Sequence, residues 1–320
     1  MSIDALLMEG HWREKFRKLG EMSLRQSSIR QFRHCPRKFF YDYIMEKDET
    51  REARKKPAYF TMGTYFHSYV EAYMDGRSIN PERLLREAWE KDGGNVDADF
   101  SDCLFRIDNK DIFYGESLNT LAVKVCNHLD AYGFKPERVE NFERIDMGKM
   151  SITGTPDLVS INTMTNERFI LDLKTTGLWR KFFGTGSLSA SKYDEDQITF
   201  STQLQHYDWM LYRIHGIKAD KYGYICPVNF IPNTKTGKLR GDPISIAQAA
   251  TVEQLEEVYE SDLYGTAREI ARCRDEDNWP RSRPETYGKL DCVTCRHRDA
   301  CLGQRDINIK LPDFIDYESG

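Results

Sequence analysis

The chain has 320 residues, 40% hydrophobic and 12% aromatic, with a formal net charge of −5. That length can bury a sizeable core, and no apolar run approaches the length of a bilayer-spanning helix, so a membrane partner is not expected. The acidic sum excludes a uniformly basic coat, yet positive charge gathers locally at Arg25, Arg30, Arg33, Arg37 and Lys38, at Arg51, Arg54, Lys55 and Lys56, and at Arg268, Arg272, Arg274, Arg281 and Arg283. Such groups suit nucleic-acid contact or simply solvated faces.

Residues 1–24 read as an N-terminal helical appendage. Only Ala5–Met8 is apolar before charges resume, which predicts no signal peptide and a cytoplasmic protein. Ser27 is a fair helix N-cap for a segment with Ile29 and Phe32 at helical spacing, and Pro36 should open a second helix after Cys35. A helix over 63–73 puts His67 and Glu71 on one face. Residues 80–138 read as a helical insertion, broken by the Gly/Asp-rich stretch 92–102.

From residue 139 the period changes. Three strands are predicted at Val139–Met147, Met150–Ile161 and Arg168–Thr175, close enough in sequence for an antiparallel meander. On the third, Asp172 and Lys174 are two apart and project from one face, while Asp157 on the neighbouring strand can approach them. A carboxylate and an ammonium on one strand face suit a hard cation beside a positioned water. Glu143, on the first strand, lies near enough in sequence to be considered but is left out of the site. The connection 177–196, with Trp179 and Phe182, reads as a substrate-contacting loop. A helix from Gln203, a strand at Lys221–Val228, and a helix from the Thr251/Gln254 capping box to about Cys273 follow. No Gly-rich phosphate loop is present, so the chain is not expected to hydrolyse ATP.

Eight cysteines in a chain expected inside the cell point to metal ligation over disulfides. Cys103, Cys126, Cys226 and Cys273 stand alone and suit the core. Cys292, Cys295 and Cys301 form a Cys-x2-Cys-x5-Cys run. Thiol counting leaves two options open: a structural zinc completed by His297 or another cysteine, or a four-iron cluster whose fourth ligand is Cys35.

In order, Gly63/His67, Gly154/Asp157, Asp172-x-Lys174 and Gln203/Tyr207 resemble the RecB-type branch of the PD-(D/E)xK nucleases. The cysteine frame resembles the iron–sulfur members of that branch, among them CRISPR-associated exonucleases and AddB-type nuclease domains. The resemblance covers residues 25–45, 60–75, 139–210 and 285–302.

The resemblance implies an α/β fold, a central mixed β-sheet flanked by helices, with an iron–sulfur-tied lid on a single nuclease domain at 25–320. It implies His67, Asp157, Asp172 and the Leu173 carbonyl as ligands of Mn²⁺ or Mg²⁺, with the imidazole favouring Mn²⁺. Lys174 would position the attacking water, with Gln203 and Tyr207 bordering the phosphate. Cys35, Cys292, Cys295 and Cys301 would hold a 4Fe-4S cluster. The expected activity is a metal-dependent DNA exonuclease on single-stranded ends. The expected settings are DNA repair, recombination or CRISPR adaptation, beside a helicase, a recombinase or a CRISPR adaptation protein. Phe39, Phe40, Tyr41, Trp179, Phe182 and Tyr207 are the expected faces for stacking bases. The alternative is a DNA-binding or assembly module without cleavage.

Overall fold

A computed structural model describes residues 22–44, 58–91, 117–147, 150–175, 193–233 and 235–281, together with Cys295, His297 and Cys301. Its centre is β6 (Arg168–Leu173), a strand of apolar residues interrupted by one aspartate and buried from Phe169 onward. It is third in a five-stranded sheet of order β2-β5-β6-β7-β8, with β2 Phe134–Val139, β5 Leu158–Asn162, β7 Lys221–Ile225 and β8 Ile244–Gln248. β5 and β6 are antiparallel, whereas β6 and β7 are parallel, so the sheet is mixed.

Alternation along β6 sorts its side chains between two cores. Phe169, Leu171 and Leu173 pack with α3 (Ala58–Met74), α4 (Pro81–Lys91) and α5 (Leu118–Ala131). Ile170 packs on the opposite side with α1 (Gln26–His34) and α7 (Thr202–His215), the crossover helix between β6 and β7. Covering both faces is what a strand this apolar requires. Asp172 shares the Ile170 face and therefore points toward α7.

The expected meander is altered at its second strand. Met150–Ile161 is not continuous: it divides into β4 (Met150–Gly154) and β5, separated by Thr155-Pro156-Asp157. Pro156 has no N–H to give a ladder, and the chain changes sheet there. β4 joins a second, three-stranded sheet of order β1-β4-β3, with β3 at Glu143–Met147. β1 is Met22–Leu24, parallel to β4 with Met22 opposite Met150. The last residues of the expected helical appendage are thus a strand, and residues 1–21 lie outside the described residues.

The span 80–138 also ends differently from the expectation. α4 and α5 are helical, but Phe134–Val139 is the edge strand β2, antiparallel to β5. Both helices share a core with α3, so they belong to the body of the fold. Residues 92–116 lie outside the described residues.

Helix ends follow local chemistry. Ser201 caps α7 by accepting from the Leu204 N–H, and Gly216 closes it at φ +66°, a left-handed conformation natural to glycine. The Thr251/Gln254 capping box starts α8 (Val252–Val258), which continues through a wider-wound turn at Tyr259–Tyr264 into α9 (Gly265–Asp275). α6 is the short Glu195–Thr199. α1 is preceded by Arg25, not Ser27; the Ser28 hydroxyl accepts from the Arg25 N–H. Pro36 opens α2 (Pro36–Phe39) as expected from its fixed φ. Among the described residues no helix is long and apolar enough to cross a membrane.

Candidate active site

The site lies where the two sheets part. Leaving β4, the chain turns at Pro156 and presents Asp157 beside the end of β6, where its Oδ2 accepts from the Leu173 N–H at 2.7 Å. Across the turn after β2, the Glu140 N–H donates to the Asp157 carbonyl at 3.0 Å. Glu140 holds φ +46°, an uncommon conformation for a residue with a side chain. From α3, the Nδ1 of His67 lies 3.1 Å from Glu140 Oε1 and 3.6 Å from Asp157 Oδ1. Three separate elements thus deliver three ligand-type side chains to one point.

A second group adjoins it. Asp172 is only 3% exposed; its Oδ1 accepts from Gln203 Nε2 at 2.8 Å and its Oδ2 touches the Lys174 ammonium. Lys174 also donates to Gln203 Oε1 at 3.0 Å and sits 4.7 Å above the Tyr224 ring. Gln203 Nε2 reaches the Tyr207 hydroxyl at 3.2 Å. Gln203 and Tyr207 are four apart on α7, hence on one face. A Cβ on Gly154 would lie 3.1 Å from the Tyr207 ring, so the glycine lets α7 come this close.

Electrostatics reflect the crowding of like charge. Burial works against a charged His67, but Asp157, Glu140 and Asp172 outweigh it and push its pKa up to about 9. Burial and Asp157 push Asp172 up to about 7 against the pull of Lys174. Burial likewise raises Asp157, with His67 opposing and Glu140 adding to the rise. Burial first, and the neighbouring acids second, disfavour the charged carboxylates here, which a positive charge would offset.

A divalent cation would supply that charge, and the geometry fits one. The ligand atoms of His67, Glu140 and Asp157 lie within 4.8 Å of one another, compatible with shared ligation at about 2.0–2.6 Å. The mixed imidazole and carboxylate set suits Mn²⁺ at least as well as Mg²⁺.

Glu140 was not anticipated from the sequence, where it reads as part of a strand beginning at Val139. Its acid stands in a turn, and only the approach of Asp157 and His67 gives it a role. Glu143, left out of the site, is buried in a separate network with Arg138 at 2.7 Å and His215 at 2.9 Å. Glu71 pairs with Arg77 at 2.7 Å.

Several expected nucleic-acid contacts are occupied within the protein. Phe39 is 3% exposed and stacks with Tyr43 and Trp279; Phe40 stacks on Trp279, and Tyr41 on His297. Arg33 pairs with Asp262, and Arg272 bridges Glu269 and Glu276. Trp179 and Phe182 lie outside the described residues.

Cys126, Cys226 and Cys273 are buried, in keeping with core positions, and Cys103 lies outside the described residues. The N-terminal segment meets the C-terminal one through Arg37 N–H to the Pro280 carbonyl at 3.0 Å and His297 Nε2 to Asp42 Oδ1 at 2.5 Å. Burial pushes the Cys301 thiol up; Arg37 opposes this, and Cys35 and Cys295 add to it, so these three cysteines share one neighbourhood. Cys292 lies outside the described residues.

A histidine and two acids placed to hold a divalent cation, beside a buried aspartate paired with a lysine, suit metal-assisted hydrolysis of a phosphodiester. Residues 23–302 match the PD-(D/E)XK nuclease superfamily. The match spans most of the chain, and the protein belongs to that superfamily. No curated protein matches it.

Proposed function

We propose that the protein is a metal-dependent DNA exonuclease that hydrolyses phosphodiesters at the free ends of single strands. The observation that supports this most is the meeting of His67, Glu140 and Asp157 beside the Asp172–Lys174–Gln203 group. In this reading His67, Asp157, Asp172 and the Leu173 carbonyl hold Mn²⁺ or Mg²⁺, with Glu140 added to the set. When bound, the cation supplies Lewis-acid stabilisation of the phosphate and a more acidic water.

The chain's own groups do the rest. Asp172 keeps Lys174 charged, because its carboxylate outweighs the burial that would discharge the amine. The Gln203 amide, bonded to both, fixes where the ammonium points. Lys174 then orients the attacking water, and the Tyr207 hydroxyl borders the phosphate. Cys35, Cys292, Cys295 and Cys301 hold a 4Fe-4S cluster that ties the chain's ends, with structural zinc as the alternative. Iron and zinc contents of anaerobically purified protein decide between them.

The same chemistry serves a nuclease acting alone or beside a helicase, a recombinase or a CRISPR adaptation protein. The deciding assay sets linear against circular single strands of equal length with Mn²⁺, and both with EDTA. The linear strand should be degraded, the circle spared and EDTA should stop the reaction. Equal cutting of the circle would make the enzyme an endonuclease, and no cutting of either would leave a binding module.

A further inference from the structure

His67 and Glu140, two of the three residues that could hold a metal ion, line a cavity of about 570 Å³, within the about 300–1,000 Å³ typical of sites for small organic groups. Its lining includes the hydroxyl side chains of Thr64, Ser68 and Thr155, the exposed Lys91, and Phe142. Phe142 is 64% exposed, although phenylalanine is among the residues most often buried. Scattered exposed apolar residues need no explanation, and Met164 and Leu239 are of that kind. Phe142 differs because it shares the cavity with His67 and Glu140.

Its turn is also anchored. Phe142 lies two residues after Glu140, in the turn between β2 and β3. The Glu140 N–H ties that turn to Asp157, and Glu140 itself contacts His67. The turn that carries Phe142 is thus tied to the metal-binding groups. The hydroxyls and the ammonium suit a phosphate once a cation offsets the Glu71 and Glu140 carboxylates on the same wall, and a presented aromatic face suits an unpaired base.

We propose that Phe142 is a stacking platform that seats one base of single-stranded DNA next to the metal centre, with Lys91 meeting the adjoining phosphate. A base paired in a duplex has both faces covered and cannot stack there, so the platform selects unpaired substrate. This inference rests on the nuclease reading above and adds a substrate contact to it.

The test is steady-state cleavage of linear single strands with Mn²⁺ by wild type, Phe142→Ala and Phe142→Trp, with Met164→Ala as a control for loss of an exposed apolar side chain elsewhere. Phe142→Ala should raise KM about tenfold, with kcat changed much less, and Phe142→Trp should recover most of the loss. A scan of single abasic sites should find one position at which wild type loses that factor and Phe142→Ala loses nothing more. Unchanged KM in Phe142→Ala, or equal added losses at every abasic position, overturns the assignment while leaving the nuclease reading intact. Wild-type protein that neither cleaves nor binds single strands overturns both.

Discussion

Two buried aspartates, one on α7 and one facing it, keep different company. Asp208, on α7, is fully buried; its Oδ1 accepts from the Ala219 N–H at 3.0 Å, and its Oδ2 from Lys218 Nζ and the Tyr222 hydroxyl, each at 2.7 Å. Burial raises its pKa, and all three donors oppose the rise. Asp172, facing the helix from β6, is nearly as buried; burial first and the Asp157 carboxylate second push it up to about 7 against the pull of Lys174. A buried carboxylate that meets donors alone is a fixture, whereas one that meets donors and also a second carboxylate suits a cation. The two are linked in space. Asp208 fastens α7 to the start of β7, and the preceding turn of that helix carries Gln203 and Tyr207 over Asp172.

Breaking the catalytic member should cost activity and little stability. Lys174→Ala should lower kcat by on the order of 10³-fold, with the thermal midpoint of the metal-free protein nearly unchanged. More than a tenth of wild-type rate in that variant would remove Lys174 from the reaction.

Breaking the structural member should do the reverse. Asp208→Ala strands Lys218 and Tyr222 and should cost about 3–5 kcal/mol in urea unfolding. Asp172→Asn, run alongside, relieves repulsion from Asp157 but takes the carboxylate from Lys174, so it should cost clearly less than Asp208→Ala while abolishing cleavage. If both variants lose similar stability, the contrast between the two aspartates is wrong.

The smallest effect sharpens the comparison at the ligand the sequence did not suggest. Glu140→Gln should weaken Mn²⁺ binding by about 10–100-fold, read by calorimetry, with cleavage partly recovered at high Mn²⁺. Unaltered Mn²⁺ affinity would reduce Glu140 to a partner that orients His67.

Much of this was legible in the chain itself because it depends on near neighbours. Helical spacing put Gln203 and Tyr207 on one face. Strand alternation put Asp172 beside Lys174, and the Thr251/Gln254 capping box marked the start of α8. The mixed α/β class follows from the same periodicities, since each depends on residues within a few positions of one another.

What tertiary structure decided depends on contacts between distant segments. A three-residue strand at Met22–Leu24 has no periodicity to read and exists because β4 offers it an edge. Phe134–Val139 lacks alternation, with Pro136 at a register irregularity, and becomes a strand through β5. The split at Pro156 shows in sequence as a proline, but not that the chain changes sheet there and turns Asp157 into the site. Glu140 depends on all of these. Its ligand role follows from a left-handed turn pinned to Asp157 and from a histidine 73 residues away, and a single acid in a sequence carries no sign of either.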